Sequence, residues 1–287
     1  DFVAASFVRN EQDVKDLRQF LNDNGGRDIK IISKIENSQG IENLDAIIRT
    51  SDGIMVARGD MGVEVPYHEL PPIQKTIIKK CYRAGKYVIT ATQMLESMTK
   101  SPTPTRAEVS DVANAIYDGT TIIMLSGETA MGDYPIESVT AMAEIATTTE
   151  ENINYKRRFE KNHLDLGYAV MNAIANAACI SAHTVNAKAI VAATRKGVTA
   201  QSIANYRPSC PIIGVTHNPK VWRQLNLSWN VAPVIAEDIY NSTDIFEYAV
   251  EKASELTILN HGDMAVIAGG LKKSNLQTGI LKIHKVT

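Results

Sequence analysis

The feature that most constrains this chain is a repeated pairing: an apolar, strand-like run that ends in chemically capable side chains. The runs are "DFVAASFV" (1–8), "IKIISKIE" (29–36), "DGIMVARGD" (52–60), "YVITATQM" (87–94) and "TIIMLSGET" (121–129). They begin 23 to 35 residues apart, the length of one strand–helix unit. Amphipathic stretches predict helices between and after them, over 11–22, 39–50, 70–84, 106–118 and 136–158. The runs are near-continuously apolar, as parallel strands covered on both faces are. Their ends carry Ser6 and Arg9, Lys34 and Glu36, Arg58 and Asp60, Thr92 and Gln93, and Ser126 and Glu128. In a (β/α)8 barrel the carboxyl ends of the strands build the active site. Five such units predict part of a barrel over residues 1–160. The chain opens at Asp1 in mid-strand without a methionine, which reads as an excerpt whose earlier strands lie before it.

The charged stretch "KRRFEKNHLDLG" (156–167) follows the last of these helices and reads as a linker into a second domain, 161–287. There the alternation restarts. Helices are expected over 168–184, 198–206, 219–226 and 243–259. Strands are expected over 188–194, 211–216, 231–236, 263–270 and near 279–286. The pattern predicts a smaller three-layer α/β domain. Its strand ends lack the carboxylates and lysine of the first half, so the chemistry belongs to residues 1–160.

Composition narrows the partners. A formal charge of -2 and 22% charged residues argue against nucleic-acid binding driven by bulk charge. No apolar run is long enough to span a bilayer, and no basic-then-apolar leader opens the sequence. Cys81, Cys179 and Cys210 are odd in number and widely spaced, which fits a reducing, cytoplasmic compartment.

Taken together, the strand ends describe a site. Glu36 and Asp60 are hard oxygen ligands from neighbouring runs, suited to Mg²⁺ or Mn²⁺ with water and phosphate oxygens completing the shell. Lys34 supplies a second positive centre, as phosphoryl transfer requires where charge develops on transferring and leaving oxygens. Thr92 adds a hydroxyl. In "ARGDMG", Gly59 and Gly62 let backbone approach a ligand, and a short helical turn would offer free N–H groups to an anion. Neither Walker-type nor dinucleotide-type glycine spacing occurs. Each feature has a plain alternative. Lys34 and Glu36 fit a buried ion pair, "ARGD" a capped turn, and Thr92 a β-branched strand residue. Their joint occurrence at successive strand ends favours a site.

At these residues the sequence resembles the pyruvate kinase family. The blocks "IISKIEN", "SDGIMVARGDMGVE", "ATQMLESM", "PTRAEVSDVANA" and "IMLSGETAMGDYP" match that family in order and spacing across most of 29–136, and "YRPSCPIIGVT" matches more loosely. The resemblance implies transfer of the phosphoryl group of phosphoenolpyruvate to ADP, giving pyruvate and ATP, with Mg²⁺ and K⁺ in a homotetramer. Under it, Lys34 stabilises the transferring group and the enolate, and Glu36 and Asp60 hold Mg²⁺. Backbone at Ala57, Arg58 and Gly59, together with Asp60 and Thr92, binds substrate. Ser126 and Glu128 deliver a proton. Arg106 resembles a subunit-interface residue rather than a catalytic one. The K⁺ ligands, the lid domain and the main ADP-binding arginines fall outside the chain, so the 287 residues alone are expected to be inactive.

In the second half, "TRKGVT" joins a strand to a helix start with Thr194, Arg195, Lys196, Gly197 and Thr199. Cations, hydroxyls and a helix N-terminus make an anion site, or else an exposed basic turn. The loop resembles the family's effector-phosphate loop. The last loop, "GGLKKSNLQTG", lacks the tryptophan and arginine of fructose-bisphosphate-responsive members. A phosphorylated activator is therefore expected without commitment to that sugar. Two other classes remain open: an enolate-forming lyase on a similar barrel, and a noncatalytic sugar-phosphate sensor.

Overall fold

The computed structural model describes residues 1–161, 164, 166, 169–236, 245–270 and 279–286. It divides into two compact units, Asp1–Ile153 and Asn154–Thr287.

The first unit alternates strand and helix as its sequence period demands. In chain order it contains β1 (Phe2–Ala5), α1 (Glu11–Asp23), β2 (Lys30–Ile35), α2 (Ser38–Glu42), α3 (Leu44–Thr50), β3 (Gly53–Ala57) and α4 (Arg58–Glu64). Then follow α5 (Leu70–Arg83), β4 (Tyr87–Ala91), a 3₁₀ turn (Glu96–Thr99), α6 (Arg106–Asp118), β5 (Ile122–Met124), α7 (Gly127–Ala130) and α8 (Pro135–Glu151). The strands lie in the order β1-β2-β3-β4-β5, and every pairing is parallel. Alternate residues Ile31, Ile35, Ile54, Val56 and Val88 pack with Leu44, Ile47, Ile77 and Ile78 of the covering helices. Lys34 belongs to the other parity, so its side chain leaves the face that the helices cover. Burying each such aliphatic side chain is worth about 1.5–3 kcal/mol.

Several expected elements differ from those observed; the run over 121–129, for example, is a strand only to Met124, and Gly127–Ala130 is helix. The helix expected over 39–50 is two helices. The Asn43 side-chain amide donates to the carbonyls of Gln39 and Arg9, each at 3.0 Å, and fixes a break between α2 and α3. The helix expected over 136–158 stops at Glu151, where the Asn152 amide caps the Thr148 carbonyl at 2.8 Å. Asn154 then accepts the N–H of Arg157 at 2.9 Å and opens α9 (Tyr155–Lys161). The strand expected over 52–60 ends at Ala57, so Arg58, Gly59 and Asp60 lie in α4.

The second unit continues with α10 (Val170–Thr184), β6 (Ala189–Ala193), α11 (Val198–Asn205), β7 (Ile212–Thr216), α12 (Pro219–Leu225) and β8 (Val231–Ile235). It closes with α13 (Ile245–Ser254), β9 (Met264–Gly269) and β10 (Ile280–Lys285). Its sheet runs β10-β9-β6-β7-β8, with only β10 antiparallel. Ala189, Val191 and Ala193 pack against Phe246 and Ala249 of α13. On the opposite parity, a Cβ at Gly214 would meet Leu225 of α12 and Ala200 of α11. Helices therefore cover both faces, giving the expected three layers. The helix expected over 243–259 ends at Ser254, after which Thr257 turns left-handed at φ 58°. Most of "GGLKKSNLQTG", residues 271–278, lies outside the described residues.

Candidate active site

Strand register decides which side chains emerge together. Ala57 of β3 sits opposite Ala91 of β4, and Ala91 opposite Met124 of β5. Lys34 of β2 pairs with Met55 of β3. The residues that follow each strand therefore leave the sheet at one end, its carboxyl edge.

Lys34 and Glu36 meet there. The ammonium lies 2.5 Å from Glu36 Oε1 and donates to Ser6 Oγ at 3.2 Å. Glu36 is buried, and its Oε2 accepts the backbone N–H of Phe7 at 2.5 Å. Oε1 has the lysine beside it in an ion pair but not in hydrogen-bonding geometry, and it has no hydrogen-bond partner. The ammonium balances this buried carboxylate, and a hard cation is a second group suited to its oxygens. Among the described residues no cluster of three or more His, Cys, Asp or Glu side chains gathers. A two-carboxylate site is the type Mg²⁺ uses when water and substrate oxygens supply the rest.

Arg58 has a different place from a substrate-binding side chain. Its guanidinium turns toward the end of β4. Nε and Nη2 donate to the Thr92 carbonyl at 2.9 and 2.6 Å, and Nη2 also donates to the Gln93 carbonyl at 2.8 Å. Nη1 pairs with Asp111 Oδ2 of α6 at 2.6 Å and reaches Gln74 Oε1 of α5 at 3.5 Å. What α4 turns to the site is backbone. The Gly59 N–H donates to Thr92 Oγ1 at 2.9 Å, and a Cβ at Gly59 would meet nothing closer than Thr92, at 3.7 Å. The chain itself does not demand glycine there. Asp60, in the first turn of α4, is exposed.

Thr92 and Gln93 are the unusual residues. They leave β4 with φ of 66° and 53°, both left-handed and neither glycine. For β-branched Thr92 this is an outlier, and each such residue costs roughly 1–3 kcal/mol unless its surroundings enforce it. Arg58 grips the two carbonyls. Just beyond, the Leu95 N–H donates to Glu128 Oε1 at 3.0 Å, while the other Glu128 oxygen accepts the Ser126 N–H at 2.7 Å. Glu128 is fully buried and both its oxygens are engaged with backbone. Ser126 Oγ is buried with no hydrogen-bond partner.

Helix α6 holds the same segment a second time. Glu108 accepts the Ser97 N–H and hydroxyl at 2.7 and 2.6 Å, and the Thr105 N–H and hydroxyl at 2.7 and 2.8 Å. Burial works to raise its pKa, but the bonds from Ser97 and Thr105 outweigh it and leave the carboxyl below its ordinary value. Asp111 and Gln74 are the contributors that sequence reasoning missed. A signal existed: Asp111 stands three residues after Glu108, on the same helix face, and next to buried Val112.

In the second unit, Thr194 and Thr199 are buried while Arg195 and Lys196 are exposed. Gly197 makes the turn into α11 at φ 81°, and no side chain caps that helix.

The family profile of the pyruvate kinase barrel domain matches residues 1–139, and that of the pyruvate kinase alpha/beta domain matches 172–284. The chain belongs to the pyruvate kinase family. Among its relatives, the pyruvate kinase of Clostridium acetobutylicum is 49% identical over 287 residues, covering 100% of this chain and 61% of that protein. The pyruvate kinase of Clostridium perfringens is 50% identical over 290 residues, again covering 100% and 61%. The pyruvate kinase of Sporosarcina psychrophila is 47% identical, with 100% of this chain and 49% of that protein covered. The chain thus spans about half to three fifths of the length of these pyruvate kinases. The two profiles bear out the expected pairing of a partial barrel with an α/β domain.

Proposed function

We propose that the protein containing this chain is a phosphotransferase that moves the phosphoryl group of phosphoenolpyruvate to ADP. The P–O bond to the enol oxygen breaks and a P–O bond to the terminal ADP oxygen forms. The enolate left behind takes a proton at its methylene carbon to become pyruvate. The observation that carries this reading is the strand-end pair: a lysine 2.5 Å from a buried carboxylate at the carboxyl edge of a parallel sheet.

Glu36 and Asp60 are the residues that would hold Mg²⁺ or Mn²⁺, which when bound would neutralise charge on phosphate and enolate oxygens. Lys34 stabilises the negative charge that develops on the enol oxygen and on the group in transfer. Backbone at Ala57, Arg58, Gly59 and Asp60, with the Thr92 hydroxyl, orients the substrate carboxylate. Ser126 is the better placed member of its pair to pass a proton. Glu128 serves as its anchor, since both of its oxygens already accept backbone N–H bonds. The loop of Thr194, Arg195, Lys196, Gly197 and Thr199 is assigned a phosphorylated effector. The reading carries with it K⁺, a homotetramer and a cytoplasmic setting. No helix among the described residues is long and apolar enough to cross a membrane.

Lys34→Met in the full-length protein tests the assignment. Turnover should fall by more than about a hundredfold, ~2.7 kcal/mol of transition-state stabilisation, while Mg²⁺-dependent binding of oxalate, an enolate analogue, persists. Activity retained within about tenfold would remove Lys34 from its role.

A further inference from the structure

We propose that Asp111 is a positioning residue for this site, acting through Arg58 on the left-handed turn at Thr92 and Gln93. The proposal rests on the reading of the strand-end site as the phosphoenolpyruvate site.

The two halves of the carboxylate cradle come from different elements. One is the backbone at the start of α4, the other the hydroxyl at the end of β4, and they touch where the Gly59 N–H meets Thr92 Oγ1 at 2.9 Å. A single guanidinium fixes their relation. Arg58 is itself the first residue of α4, and its side chain crosses to the carbonyls of Thr92 and Gln93. A planar fork that bonds two successive carbonyls fixes the peptide planes that follow Thr92 and Gln93, and so ψ of Thr92 and φ of Gln93. Arg58 thus holds the left-handed pair on its carboxyl side, while the Thr92 hydroxyl donates to the Ala91 carbonyl on the other, and together they enforce the strained turn.

The fork can hold that aim only if its charge is balanced. The Arg58 side chain is 12% exposed, and Asp111 is the one carboxylate paired with it among the described residues. Gln74 Oε1, at 3.5 Å, is the remaining acceptor on the same nitrogen. Every nitrogen of the guanidinium is engaged with protein atoms, so the Arg58 side chain does not reach a substrate, and Asp111 is one step further back. A carboxylate on α6 therefore sets the geometry of a hydroxyl at the end of β4. Its loss should act on the substrate that the hydroxyl holds and leave the second substrate alone.

The test uses Asp111→Asn, which keeps an acceptor oxygen but no charge, and Asp111→Ala, which keeps neither, in the full-length protein. Steady-state kinetics are measured with phosphoenolpyruvate and ADP varied separately, alongside amide hydrogen exchange at Leu95, whose N–H is bonded to Glu128. In Asp111→Ala, kcat/KM for phosphoenolpyruvate should fall about 30- to 100-fold, the size expected of a cradle displaced by an ångström or less. Asp111→Asn should fall in between. The KM for ADP should stay within about twofold and the melting temperature within a few degrees, while Leu95 exchanges about tenfold faster. If the unaltered protein turns over and Asp111→Ala stays within about threefold of it, or if both substrate constants suffer equally, the proposal is overturned. If the unaltered protein does not turn over phosphoenolpyruvate, the functional reading fails instead. Leu95 exchange then decides the positioning role, and an unchanged rate overturns it.

Discussion

Two strand ends make opposite use of the same backbone region. After β4 the chain turns left-handed at Thr92 and Gln93; after β6 it does so at Gly197. The first turn uses residues that dislike the conformation and is held by side chains from three helices: Arg58 of α4, Glu128 of α7 and Glu108 of α6. The second places its left-handed φ on glycine, where it is free, and leaves Arg195 and Lys196 in solvent. Enforcement of this kind suits the proposed role of Thr92, which needs one hydroxyl in one geometry. A loop that collects an anion by charge, as proposed for the one after β6, can stay plain.

The largest effect should come from removing the enforcement. Arg58→Ala strips two backbone carbonyls of their donors and leaves Asp111 and Gln74 facing each other without a cation. We expect a loss of about 3 kcal/mol in denaturant unfolding of this chain. Lys196→Ala, in the exposed loop, should stay within about 0.5 kcal/mol. Equal losses would mean that the turn after β4 is no more constrained than the loop after β6.

A smaller effect separates glycine from the enforced pair. Gly197→Ala puts a Cβ 3.3 Å from Val221 Cγ1 and 3.4 Å from Leu225 Cδ2 at a positive φ, and should cost about 1–2 kcal/mol. Thr92→Gly relieves a left-handed β-branched residue, so its melting temperature should hold or rise even as phosphoenolpyruvate binding weakens. A parallel drop in both variants would show that the Thr92 conformation is not strained.

The parallel first sheet and most helices were legible because period carries them. Alternating apolar runs can be buried on both faces only as parallel strands, and α6 was found residue for residue because Thr105 and Glu108 form a capping box at its start. That Lys34 and Glu36 meet was legible because side chains two positions apart share one side of an extended chain. The break at Asn43 was not, because it depends on the Arg9 carbonyl 34 residues away in sequence. The role of Arg58 was half legible for the same reason. Sequence gives a basic residue at a strand end, but its carboxylate partner lies 53 residues on. Contacts of that range are set by tertiary packing, which no local pattern encodes.

Acid should act on one side of the comparison only. Glu108 has a folded pKa below its ordinary value of 4.5, through the bonds from Ser97 and Thr105 that overcome burial. A carboxyl lowered in this way adds stability that is fully present above the unfolded value and is lost as pH falls through the folded one. Glu108→Gln should therefore be less stable than the parent at neutral pH. The gap should narrow as pH drops below about 4.5 and close once the parent's carboxyl is protonated as well. The effect is the smallest of the set because Glu108 lies near solvent, where screening weakens it. Urea melts of both proteins between neutral pH and pH 3 would show it. A gap that stays constant with pH would mean that the four bonds hold the segment after β4 equally well without charge.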